Sequence, residues 1–205
     1  MLPSHQYPDF LTSCEAGALL RWALDNRAGF KPAKLTGGVL DPERRRALKL
    51  EDLGPHRELL EQRLLDRLPD IFRKTGTPPF QPDLLELELA GHGDGAFFTT
   101  HSDIPIGLKR GADPHPALKD HDRLVSGVYY LHNKPRAFSG GALRLYGVGD
   151  RKGEGKYRDY EPEHNSLVAF PSWAYHEVRE VSCPGDRFED WRFAVNIWIC
   201  RKPGY

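Results

Sequence analysis

The chain has 205 residues, 39% of them hydrophobic and 28% charged, which suits one soluble globular domain with a core of ordinary size. Its 29 basic and 29 acidic residues cancel, so it lacks the cationic surplus that phosphate-backbone binding requires, and nucleic acid is not an expected partner. No apolar run approaches the roughly 20 residues that span a bilayer, the N-terminus has no secretory pattern, and the three cysteines are widely spaced; a cytoplasmic protein with reduced thiols and no membrane partner is expected.

Residues 1–80 read as helical support. Thr12-Ser13-Cys14-Glu15 is a capping-box pattern, in which the Thr hydroxyl and the Glu carboxylate each satisfy an orphan amide. Ala16, Leu19, Leu20, Ala23 and Leu24 follow at helical spacing. A looser stretch with Gly37, Gly38 and Pro42 leads to a second helical pattern over residues 55–74, striped by Leu60, Leu64, Leu68, Ile71 and Phe72. Pro69 is expected to kink or divide it, and Thr77-Pro78-Pro79 to end it.

From Leu84 the period becomes two. Leu85, Leu87 and Leu89 face one way and Glu86 and Glu88 the other, which predicts a strand with one wet face. Further short strands are expected over residues 96–102, 124–131, 142–146, 166–170, 176–181 and 192–200, separated by turn-rich stretches. Residues 104–122 read as a long polar loop, with Lys109, Arg110 and Lys119 in it and Arg123 beside it as candidate cations for an acidic substrate. Helices first and strands after fit a β sandwich or barrel with helices packed on one face.

The stretch Phe97-Phe98-Thr99-Thr100-His101-Ser102-Asp103 carries the chemistry. On a strand, residues i and i+2 share a face, so His101 and Asp103 aim an imidazole and a carboxylate into one space. His176, at the start of another expected strand, is the best third donor. Two His and one carboxylate with open positions opposite are the ligand set of non-haem Fe(II) oxygenases, whereas zinc more often sits in a closed tetrahedron or keeps one open position. A second His-x-Asp, His92-Gly93-Asp94, lies among glycines and reads as a turn whose side chains need not share a face. The remaining histidines read as solvated or capping residues, and from these residues alone that reading also stays open for His101 and His176.

Context adds to this. His101-Ser102-Asp103, Gly127-Val128-Tyr129-Tyr130-Leu131, Ser139-Gly140-Gly141-Ala142-Leu143-Arg144-Leu145, Leu167-Val168-Ala169-Phe170, Tyr175-His176-Glu177-Val178 and Arg192-Phe193-Ala194-Val195-Asn196-Ile197-Trp198 come in that order. Together they make residues 84–200 resemble the prolyl 4-hydroxylase-like branch of the Fe(II)/2-oxoglutarate dioxygenases, notably the hypoxia-inducible-factor prolyl hydroxylases and their bacterial relatives. The resemblance implies a single catalytic domain, a mostly β fold with N-terminal helices, built as a double-stranded β-helix (jelly-roll) barrel with helices packed on one sheet. It implies Fe(II), 2-oxoglutarate and O2 as cofactor and co-substrates, with ascorbate as an accessory reductant.

By the same resemblance, His101, Asp103 and His176 are the catalytic iron ligands. Arg192 pairs with the far carboxylate of 2-oxoglutarate, Tyr130 hydrogen-bonds that carboxylate, Leu143 packs on its carbon chain, and Trp198 stands near the site. In the family the basic residue often follows the second His by about ten positions, which would favour Arg187. Arg192 is preferred because a strand gives it a fixed direction, with Arg179 a distant third. Strand parity agrees: Arg192, Ala194, Asn196 and Trp198 share one face, and Phe193, Val195, Ile197 and Ile199 share the apolar one. Halogenases of this kind carry a small residue in place of the carboxylate, so Asp103 implies hydroxylation. The implied substrate is a prolyl residue of a protein or peptide, with release of succinate and CO2. A free amino acid or other small metabolite is the alternative, and an inactive 2-oxoglutarate-binding sensor the remote one.

Overall fold

In the computed structural model, which describes residues 2–35, 38–104, 121–148 and 155–203, the chain enters as a short strand, β1 (His5–Tyr7). The Thr12 capping box forms: the Glu15 amide donates to the Thr12 hydroxyl at 3.3 Å and the Thr12 amide to Glu15 Oε2 at 2.9 Å. It starts α1 (Ser13–Asp25), which buries Ala16, Leu19, Leu20 and Ala23.

The stretch expected to be loose contains three short strands, β2 (Lys31–Pro32), β3 (Arg45–Arg46) and β4 (Leu48–Leu50). They are too short to carry a readable period. The second helix, α2 (His56–Thr75), is not divided at Pro69. Pro69 is exposed, and the opposite face holds the helix down through Leu60, Leu64, Ile71 and Phe72. Its end is set before Thr77, by Gly76 in the left-handed conformation (φ 64°), whose amide returns to the Phe72 carbonyl.

The remaining strands are β5 (Leu84–His92), β6 (Phe97–His101), β7 (Asp122–Leu131), β8 (Ser139–Gly140), β9 (Leu143–Tyr146), β10 (Tyr157–Tyr160) and β11 (Ser166–Pro171). Then come β12 (His176–Val178), β13 (Val181–Ser182) and β14 (Arg192–Arg201). The single strand expected over residues 176–181 is thus two, and they belong to different sheets. One sheet has the order β1-β11-β7-β14-β5-β4-β2, the other β10-β9-β12-β6-β3, with β13-β8 a separate pair. All their pairings are antiparallel, and the fold is a mostly β jelly roll.

Strand parity decides the layers. Phe193, Val195, Ile197 and Ile199 of β14, with Leu87 and Leu89 of β5 and Tyr129 of β7, form one core with Leu19, Leu60, Leu64 and Phe72 of the helices. Burying each such side chain stabilises by about 1.5–3 kcal/mol. The alternate residues, Val128, Tyr130 and Ala194, face the second sheet and pack with Leu143, Leu145 and Phe170. Glu86 and Glu88 lie on this inward side, so the face expected to be wet is the lining of the barrel. Their charges are tolerated there because Arg123 pairs with Glu86, and Arg45 and Lys49 with Glu88.

Candidate metal and co-substrate site

The antiparallel register of β12 against β6 places His176 directly across from His101, and the two rings stand 4.2 Å apart between centroids. Asp103 lies two residues beyond the end of β6, where its amide donates to the Ser172 carbonyl at 3.1 Å. Its carboxylate then comes within 3.9 Å of His101 Nε2 and 3.6 Å of His176 Nε2. One donor atom from each of the three residues lies within 4.8 Å of the others.

The surroundings prepare these atoms as ligands. His101 Nδ1 is 2.8 Å from the Thr99 carbonyl, and His176 Nδ1 is 2.9 Å from the Ala174 carbonyl. A carbonyl only accepts, so each Nδ1 carries the proton and each Nε2 turns a bare lone pair towards the shared space. Burial, and then the neighbouring His176, push the His101 imidazole well below its ordinary value, which keeps it neutral. Burial pushes the Asp103 carboxyl up. Neighbouring positive charge, that of Arg123 included, and a 2.6 Å hydrogen bond from Ser126 Oγ outweigh it and hold the group below the usual carboxylate range. Ser126 was not singled out in the sequence; its signal was parity, since it shares a face of β7 with Val128 and Tyr130. The rings of Phe98 (3.6 Å from His101, stacked) and Phe170 (4.8 Å from His176) wall the donors off. Two lone pairs and a carboxylate converging in a buried space repel one another without a cation, so the donor set fits a divalent metal such as Fe(II).

Arg192 begins β14 and is 1% exposed. Its Nη1 donates to His92 Nδ1 at 3.1 Å, and its guanidinium carbon lies 4.8 Å from the centroid of the Tyr130 ring. Among the described residues, Arg192 Nε, Arg192 Nη2 and Tyr130 Oη are buried with no hydrogen-bond partner. A buried cation with two N–H groups and a neighbouring hydroxyl unsatisfied calls for an anion, and this edge matches one carboxylate held through two parallel bonds. Burial raises the Tyr130 phenol to about 12, Arg192 working the other way, so it stays protonated and able to donate. The cluster thus fits the far end of 2-oxoglutarate. Gly141 makes room for it: at φ 70°, a Cβ there would lie 2.7 Å from Arg192 Cδ.

Leu143, Val128 and Trp198 line the cavity that also holds the three metal donors. Arg187, in contrast, is exposed and tied to Asp190 at 2.7 Å, and Arg179 is exposed and paired with Glu177. Arg123, a candidate for gripping substrate, is buried: it makes two hydrogen bonds to Glu86 (2.9 and 2.7 Å) and lies 4.0 Å over the Trp198 ring. Lys109, Arg110 and Lys119 fall outside the described residues. His92 requires a correction. It does not lie in a turn but ends β5, 4% exposed, opposite Arg192 in the β5–β14 register. Burial first, then the charges of Arg192 and Arg45, hold its imidazole neutral.

A barrel with this donor set defines a metal-dependent oxygenase, and the chain belongs to the 2OG-Fe(II) oxygenase superfamily, whose model matches residues 87–200. It is 29% identical over 198 residues to the uncharacterized PKHD-type hydroxylase sll0191 of Synechocystis sp., covering 95% of this chain and 62% of that protein. The chain therefore spans about three-fifths of that relative's length. Among solved structures it resembles a Pseudomonas putida prolyl-4-hydroxylase (TM-score 0.65, 22% identity, 98% of this chain and 94% of that one). It also resembles a Trichoplax adhaerens prolyl hydroxylase in complex with a hypoxia inducible factor oxygen degradation domain peptide fragment (TM-score 0.69, 19% identity, 96% and 83%). Both likenesses establish the jelly-roll fold, and no helix among the described residues is long and apolar enough to cross a membrane.

Proposed function

We propose that the chain hydroxylates a prolyl residue of a protein or peptide, using Fe(II) held by His101, Asp103 and His176 and 2-oxoglutarate held by Arg192 and Tyr130. The observation that carries the reading is the joint one: three metal donors converge in the barrel that also holds a buried arginine with its Nε and Nη2 unpartnered. When bound, the iron supplies the redox chemistry that couples O2 and conversion of 2-oxoglutarate to succinate and CO2 with hydroxylation of the substrate.

The chain's own residues bind, orient and exclude water. The Thr99 and Ala174 carbonyls hold both imidazoles in the ligand tautomer, and Ser126 keeps Asp103 ionised and aimed. Arg192 and Tyr130 would receive the far carboxylate of the co-substrate, and Leu143 would pack beside its carbon chain. Trp198, under the Arg123 guanidinium, would stand beside the site. The prolyl assignment is supported by the two prolyl hydroxylases that share this fold, one of them solved with a peptide. That support is by analogy of fold.

The test is a mass-spectrometric search for the gain of one oxygen. Fe(II)-loaded protein and 2-oxoglutarate are offered proline-containing peptides and free amino acids side by side, with His176→Ala as control. Oxygen on a peptidyl proline is expected. Oxygen only on a free amino acid would replace the prolyl reading with that of a small-metabolite hydroxylase. Retained turnover in His176→Ala, with the fold intact, would remove the ligand assignment.

A further inference from the structure

We propose that His92 is a positioning residue for the co-substrate, fixing the rotation of the Arg192 guanidinium so that its Nε–Nη2 edge is the one offered to a carboxylate. The inference rests on the reading of Arg192 and Tyr130 as the residues that hold 2-oxoglutarate. A guanidinium can present a carboxylate with its Nε–Nη2 edge or with its Nη1–Nη2 end, and the two place the anion differently. Here Nη1 is already bound, at 3.1 Å, to His92 Nδ1. Arginine only donates, so Nδ1 must accept and the ring proton sits on Nε2. His92 thus takes one of the two N–H groups of Nη1, the atom that only the end-on mode needs. The two atoms left without partners, Nε and Nη2, are those of the side edge.

Other groups also border the guanidinium. Tyr130 offers a ring face 4.8 Å away, and Gly141 offers space beside the stem. His92 is the hydrogen-bond acceptor that breaks the symmetry. The β5–β14 register sets it opposite Arg192, and it lines the same cavity as the metal donors.

Calorimetric titration of Mn(II)-loaded protein, free of O2, with two ligands tests this. One is 2-oxoglutarate. The other is 2-oxobutyrate, which keeps the 2-oxo acid end but lacks the far carboxylate. His92→Leu is expected to weaken 2-oxoglutarate binding about 10- to 100-fold, the effect of losing a hydrogen bond to a charged group, and to leave 2-oxobutyrate binding unchanged. His92→Asn, whose Oδ1 can stand where Nδ1 stood, is expected to restore 2-oxoglutarate affinity to within about threefold of wild type. Unchanged 2-oxoglutarate affinity in His92→Leu, equal weakening of both ligands, or no recovery in His92→Asn would overturn the proposal. Wild-type protein that took up Mn(II) but no 2-oxoglutarate would instead overturn the co-substrate reading on which it rests.

Discussion

Gly141→Ala probes how tightly Arg192 is seated, and Gly38→Ala supplies its control. Both glycines have left-handed backbones, φ 70° and 76°, so alanine meets about 1–2 kcal/mol of conformational penalty at either site. They differ in what the new methyl group touches. At Gly38 nothing among the described residues lies within 4 Å. At Gly141 the Cβ would stand 2.7 Å from Arg192 Cδ, 2.9 Å from Val181 Cγ2 and 3.2 Å from Arg192 Nε. Arg192 and Val181 are both fully buried, so neither can swing into solvent, and overpacking of this kind costs about 1–3 kcal/mol more. Gly38→Ala should therefore lose about 1–2 kcal/mol and Gly141→Ala about 2–5 kcal/mol. For a chain of this size each kcal/mol lowers Tm by about 2–4 °C, so paired thermal melts with urea titrations resolve the difference. Gly141→Ala should in addition lose stabilisation by 2-oxoglutarate, because the methyl group displaces the arginine stem, and Gly38→Ala should keep it. Two variants that melt together and respond equally to 2-oxoglutarate would refute the packing of Arg192 against this glycine.

Ser126→Ala should weaken binding of Fe(II) or Mn(II) about 10- to 100-fold in a metal titration, because Asp103 loses the 2.6 Å hydrogen bond that aims it; an unchanged affinity would show that Asp103 is oriented without it. Arg123→Met should destabilise the fold by about 3–5 kcal/mol in urea, because it leaves the Glu86 carboxylate, only 11% exposed, without its bidentate partner; a loss under about 1 kcal/mol would mean that the pair is solvated. The metal-free protein should melt lower at about pH 5 than at about pH 7.5. Burial holds His92 and His101 below the ordinary imidazole value. The unfolded chain therefore takes up these protons near pH 6.5 while the folded chain does not, and stability falls as pH drops below that point. Asp103 acts only in more acid solution: its depressed value contributes stability above about pH 4 that is lost as pH falls through the folded value. A Tm that is flat or rises on acidification would contradict the burial of these imidazoles.

Features that depend on near neighbours along the chain were legible before any folding. The Thr12 capping box, the stripe of α2 and the alternation along β5, β7 and β14 are set by backbone geometry over a few residues, and each is present. Alternation also placed Arg192 on one face with Ala194, Asn196 and Trp198, and His101 on one face with Asp103, which lies two residues past the end of β6. Parity sorts a strand's residues into two sets without saying which set faces the partner sheet. Alternation alone therefore predicts a wet face for Glu86 and Glu88, although Arg45, Lys49 and Arg123 arrive from other strands to neutralise them inside the barrel. Pro69 likewise looked like a break because the packing that holds α2 through it comes from residues far along the chain.

His92 shows the limit most plainly. Its glycine neighbours describe a turn, and only the pairing of β5 with β14, 100 residues apart, sets it on the guanidinium of Arg192. Pairing of distant strands is decided by the burial of whole sheets. The site is made of such pairings, His176 across from His101 and Arg192 across from His92, so its residue types were legible in the chain while its geometry waited for the tertiary structure.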